Sequence, residues 1–122
     1  MGDRGQVKIL MGGDTAPVFL YAHWGGEDLW RDVQTALKLK ERWEDEEYLA
    51  RIIFQGMLAG DDGTTGYGIS TTMHGDIEHP IPEIDCDKQI IKVLTRDGKE
   101  TGLQYTMEEF VKLTKEQIEK IG

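Results

Sequence analysis

Cysteine is almost missing from this chain: Cys86 is alone among 122 residues. No disulfide can therefore close within the chain, which excludes a disulfide-stapled secreted scaffold and makes a reducing, cytoplasmic setting the expectation. Serine is equally scarce. Ser70 is the single one, and nothing around it resembles G-x-S-x-G, so the sequence offers no hydrolase-type nucleophile. No apolar run approaches the ~20 residues of a membrane-spanning helix. The stretch from Met1 to Met11, charged at Asp3, Arg4 and Lys8, lacks the apolar segment of a signal peptide. Gln6 stands where a myristoylation pattern wants Ser or Thr. Positive charge is also short, with 14 Lys and Arg against 23 Asp and Glu, a formal charge of −9. Such a field opposes phosphate backbones and anionic lipid, so neither nucleic acid nor membrane is an expected partner.

What the chain does contain is enough apolar material for a core, 39% hydrophobic residues beside 30% charged, and its length suits one domain over 1–122. Gln6 to Met11 and Val18 to His23 read as two strands joined through Gly12, Gly13 and Pro17, an N-terminal hairpin. After Gly25-Gly26, the spacing of Leu29, Val33, Ala36 and Leu37 predicts a helix to about Arg42. Asp45 is placed to cap a second helix, with Leu49, Ile52, Ile53 and Gly56 on one face. Gly60 to Gly63 ends it. Tyr67 to Thr72, Glu83 to Cys86 and Ile90 to Thr95 read as strands, the last two forming a hairpin. Arg96 to Lys99 is a turn, and the T-x-x-E pair Thr106 and Glu109 opens a third helix carrying Phe110, Leu113, Ile118 and Ile121. The order β-β-α-α-β-β-β-α lacks strict strand-helix alternation, which predicts an α+β fold: a mainly antiparallel sheet with three helices on one face. The core unit spans about 5–95 and the turn and helix of 96–122 extend it. Trp24, Trp30 and Trp43 fall in or beside the first helix.

Two glycine-rich segments carry the candidate chemistry. In His23-Trp24-Gly25-Gly26 a strand hands over to a helix, the glycines permit close approach of a bound group, and the helix-start N–H groups favour an anion. Glu27 and Asp28 in the first turn oppose a phosphate there. In Thr64-Thr65-Gly66-Tyr67-Gly68-Ile69-Ser70-Thr71 the tyrosine ring can stack on a planar group while hydroxyls and N–H groups meet its polar edges. Neither segment matches a P-loop or a dinucleotide-binding fingerprint. The alternative reading makes the glycines turns and packs His23 and Trp24 beside the core. His74-Gly75-Asp76-Ile77-Glu78-His79 has ligand-type side chains but no recognised zinc spacing, so no metal or other cofactor is expected. Cys86, between Asp85 and Asp87, reads as a packed core thiol of raised pKa. The acids from Glu41 to Glu47 read as a solvated junction between helices.

His23-Trp24-Gly25-Gly26, Tyr48-Leu49-Ala50-Arg51-Ile52-Ile53-Phe54 and Gly63 to Thr71 together resemble a family of small uncharacterised proteins encoded by prokaryotes and their phages, over about Gly5 to Val93. The resemblance implies that the two glycine-rich segments and the Tyr48 to Phe54 helix form one unit. It implies no catalytic residue. A phage origin would suit counter-defence, by docking a host protein or sequestering a signalling nucleotide. The expectation is a non-enzymatic domain, a homo-oligomer, that binds a small polar ligand such as a nucleotide: Trp24 and Tyr67 stack it, His23 and Arg51 meet negative charge, Gly25, Gly26, Thr65 and Gly66 shape the loops, and Ser70 and Thr71 supply hydroxyls. The alternative is an acidic module that docks a protein partner. An enzyme using His23 with Glu27 or Asp28 lacks a nucleophile or metal to complete it.

Overall fold

A computed structural model describes residues 3–12, 15–59 and 66–121. Six strands form one mixed sheet in the order β3-β2-β1-β4-β5-β6. They are β1 (Gly5–Ile9), β2 (Val18–Ala22), β3 (Tyr67–Ser70), β4 (Ile81–Asp85), β5 (Ile90–Leu94) and β6 (Glu100–Thr106). A 3-10 turn (Gly26–Asp28) leads into α1 (Leu29–Leu37), followed by α2 (Glu46–Leu58), α3 (Met107–Val111) and α4 (Lys115–Ile121).

Alternation explains which sheet face is covered. Val7 and Ile9 of β1, Leu20 and Ala22 of β2, Ile84 of β4, and Ile91 and Val93 of β5 point into the main core. There they meet Trp30, Val33 and Leu37 of α1, Leu49, Ile53 and Met57 of α2, and Phe110 and Ile118 of α3 and α4. Each fully buried Leu, Ile or Phe contributes about 1.5–3 kcal/mol, so this layer carries most of the stability. Trp30 is 1% exposed and donates from Nε1 to the Pro80 carbonyl at 3.1 Å; Trp43 donates to the Leu37 carbonyl at 3.1 Å. Both buried indoles are thus satisfied.

The opposite face mixes polar side chains with a smaller buried cluster of Ile77, Ile81 and Leu94, against which Tyr21 packs, and Ile77 is part of the 71–80 segment that covers it. Lys8 and Glu83 sit side by side there as an ion pair at 2.9 Å. Gln6 is fully buried under His74, donating to its carbonyl and accepting its N–H, while the His74 ring stacks on Tyr21 with centroids 4.2 Å apart.

Several expectations are corrected. The α+β fold and the mainly antiparallel pairing hold, with four of the five pairings antiparallel, but β1 and β4 run parallel, paired at Lys8↔Glu83 and Ile9↔Ile84, so the sheet is mixed. Of the strands that follow α2, β3 adds to β2 at the sheet edge and β4 docks on the free side of β1, a choice made by tertiary packing. Residues Glu100–Thr106 form a sixth strand paired with β5; only Tyr105 of them is even half-buried, which left little apolar pattern to read. The first helix stops at Leu37, because Lys40 and Arg42 adopt left-handed backbone conformations with φ of 53° and 62°. The final helix is two. The Thr106–Glu109 capping box opens α3, and a second reciprocal pair, Thr114 with Gln117, restarts the chain as α4. Residues 96–122 also deliver Phe110, Met107 and Ile118 to the same core. Asp45 precedes α2 as its N-cap residue without a side-chain capping bond. The turn expected at Gly60 to Gly63 lies outside the described residues.

Candidate functional site

The two glycine-rich segments meet at one end of the sheet. Ala22 pairs with Tyr67, and the His23 N–H donates to the Gly66 carbonyl at 2.7 Å. The chain then leaves the sheet, and Gly25 turns it with φ of 73°, a left-handed conformation that glycine takes at no steric cost. Trp24 comes to lie over Gly66, where an added Cβ would stand 3.1 Å from Trp24 Cδ1. The indole is 50% exposed and meets the His23 ring edge-on at 4.7 Å. His23 Nδ1 lies 3.2 Å from the Tyr21 hydroxyl, which fixes the imidazole beneath the indole. A half-open aromatic surface of Trp24 and His23 results, with Gly66 packed so close on one side that a Cβ there would require the indole to give by a few tenths of an ångström.

The anion site expected at the helix start is occupied by the chain itself. Gly26 donates to the Asp3 carbonyl at 2.7 Å, Glu27 N–H to Asp3 Oδ2 at 2.9 Å, and Asp28 N–H to the Gly25 carbonyl at 3.0 Å. His79 Nε2 holds the other Asp3 oxygen at 2.5 Å. The His79 hydrogen bond, with the Glu27 N–H, holds the Asp3 carboxyl below its ordinary value against the opposing effect of burial. Gly26 accordingly serves packing within the chain rather than access for a ligand. Its added Cβ would stand 2.6 Å from the Asp3 carbonyl oxygen and 2.8 Å from His79 Cδ2.

Other members of the expected site are placed elsewhere. Tyr67 is half-buried and packs against the main core, so its ring is not a free stacking face. Its hydroxyl would lie 3.9 Å from a Cβ at Gly25. Ser70 pairs with Phe19, at the far end of β3, roughly 10 Å from Tyr67 at strand rise, and its hydroxyl accepts the Thr72 N–H. Thr71 is exposed beyond it. Arg51 is on the exposed side of α2, bonded to Gln55, in a groove against α1. Thr65 lies outside the described residues. The structure therefore brings together His23, Trp24, Gly25, Gly66 and Tyr67, and separates Arg51, Ser70 and Thr71 from them.

What sequence reading missed is Asp3, Arg4 and Glu78. Glu78 accepts the Arg4 N–H at 3.0 Å, and its own N–H donates to the Arg4 carbonyl at 2.9 Å. These bonds join the N-terminal segment to residues 76–79, and a partner 74 positions away leaves no local signal. Of the histidines in the 74–79 segment, His79 is engaged with Asp3, while the His74 ring stacks on Tyr21 and its buried Nδ1 has no hydrogen-bond partner among the described residues. Among the described residues, no three His, Cys, Asp or Glu side chains are grouped to hold a metal ion. Cys86 is 2% exposed, and its thiol is pushed up to about 12, by burial first and then by Glu46, Asp85 and Asp87.

No protein-family model, curated protein or solved structure matches the chain. No helix among the described residues is long and apolar enough to cross a membrane.

Proposed function

We propose that this is a binding domain without chemistry of its own, which takes a small planar polar ligand of nucleobase type against Trp24 and His23. The observation that carries this reading is the half-exposed indole set over Gly66 by the β2–β3 pairing, with an imidazole at its edge. An aromatic face in water that is fixed on both sides offers stacking at little entropic cost. The helix-start N–H groups are taken by Asp3 and Gly25, and Arg51 is elsewhere, so recognition falls on the heterocycle rather than on a phosphate. A nucleoside or free base fits this better than a nucleotide.

The test is to purify the full chain, denature it and identify released small molecules by mass spectrometry, with Trp24→Ala in parallel. A heterocycle retained by the wild type and absent from the variant supports the reading. One retained equally by both overturns this site. A protein partner is the second reading, favoured by Tyr48, 51% exposed under the Arg42 guanidinium at 4.5 Å beside the acids of 41–47. Stoichiometric capture of a protein, abolished by charge reversal across Glu41 to Glu47, would favour it over the ligand.

A further inference from the structure

The groove between α1 and α2 is independent of the Trp24 surface. Ala36 and Leu39 on one side and Ile52 and Gly56 on the other line a cavity of about 490 Å³, within the range of small-molecule sites. Leu39 is 60% exposed, an aliphatic side chain left in water at the groove. Gly56 is the second observation. It lies inside a 13-residue helix without a positive φ, and an added Cβ would find only the Asp32 carbonyl oxygen, 3.9 Å away. Glycine there weakens the helix by about 1 kcal/mol relative to alanine, and neither backbone conformation nor packing requires it. What its missing side chain does is leave the groove floor open.

Polarity gives the groove a direction. Arg51 lines it and bonds only to the neutral Gln55, with no carboxylate among the described residues within ion-pair distance. Glu41 also lines the groove. A guanidinium with no carboxylate at ion-pair distance among the described residues is available to a ligand even with Glu41 in the same groove, and at physiological salt carboxylates farther off are screened over about 8 Å. We infer that the α1–α2 groove binds a small aliphatic carboxylate, its apolar stem over Gly56 and Ile52 and its carboxylate on Arg51.

Titration of the isotopically labelled full chain with octanoate, followed by amide chemical shifts, tests this. Saturable shifts in residues 35–41 and 51–59 are expected. Arg51→Gln is expected to weaken octanoate roughly three- to fivefold, as an exposed ion pair would, while leaving the neutral octanamide unchanged. Gly56→Leu fills the floor with a strong helix former and is expected to abolish saturation; Gly56→Ala, which keeps the fold with less bulk, is expected to weaken it. No saturable shift, shifts centred elsewhere, equal affinity for octanoate and octanamide, or octanoate binding unchanged in Arg51→Gln or Gly56→Leu would each overturn the inference.

Discussion

At the β2–β3 end the open surface is aromatic and the N–H groups of Gly26, Glu27 and Asp28 are already bonded within the chain, whereas between α1 and α2 Ala36, Leu39 and Ile52 line the surface and Arg51 has no carboxylate at ion-pair distance among the described residues. The same distinction holds for the glycines. Gly26 is crowded by backbone at 2.6 Å, while Gly56 has open space. A glycine that the chain's own packing demands and a glycine that leaves room for something else look alike in sequence. They differ in what a single methyl group would meet, and that difference separates structural glycines from candidate site glycines.

Substitution exploits that contrast most strongly. Gly26→Ala is expected to cost about 3 kcal/mol in denaturant unfolding, because the new methyl displaces Asp3 and Arg4 backbone and breaks the bonds that hold residues 3–4. Gly56→Ala is expected to raise stability by up to ~1 kcal/mol. Equal losses from the two would dissolve the comparison. Next in size is Asp3→Ala, which leaves the Glu27 N–H and His79 without their partner and is expected to cost about 1–2 kcal/mol near neutral pH. Since the Asp3 carboxyl is held below its ordinary 3.8, its contribution is present above that value and is lost as pH falls through the lowered one. The wild type and the variant should therefore converge in acid, and a gap that widens there would contradict the assigned pairing.

Asp32 carries the smaller effect, with the opposite sign. Burial first, then the neighbouring Asp28 charge, pushes its carboxyl up to about 6 from 3.8. The native chain holds that proton more tightly than the unfolded chain, so stability falls as pH rises from about 4 to about 6 and is level above. Asp32→Asn removes this and is expected to stabilise by about 1 kcal/mol at pH 7 while flattening the pH profile. A destabilised Asn variant at pH 7 would refute it.

The local rules of the fold were legible. Periodicity places α1 and α2, the β-branched and aromatic run Val18 to His23 beside a Gly and Pro turn places the β1–β2 hairpin, and Thr106 with Glu109 marks the start of α3. Pairing between distant segments was not. Nothing in Lys8 or Glu83 announces that β4 docks parallel to β1, and the exposed β6 lacks the apolar rhythm by which a strand is recognised. The site followed the same pattern: His23 to Gly25 and Gly66 to Tyr67 stood out by composition and do meet. Arg51 was grouped with them by charge type alone, and helix direction carries it to the α1 groove. Asp3 was passed over because its side-chain partners, the Glu27 N–H and His79, lie 24 and 76 residues away.

Trp24 fluorescence is the most direct test of the account. Trp30 and Trp43 are 1% and 9% exposed and Trp24 is 50% exposed, so a stacking ligand should quench Trp24 selectively. The measurement is a titration of the full chain with a panel of purine and pyrimidine nucleosides and their monophosphates, repeated on Trp24→Ala. The account predicts saturable quenching by at least one nucleoside, no tighter binding of its monophosphate, and loss of the signal in the variant. Binding that strengthens tenfold with the phosphate, quenching that survives in Trp24→Ala, or no quenching across the panel would contradict it.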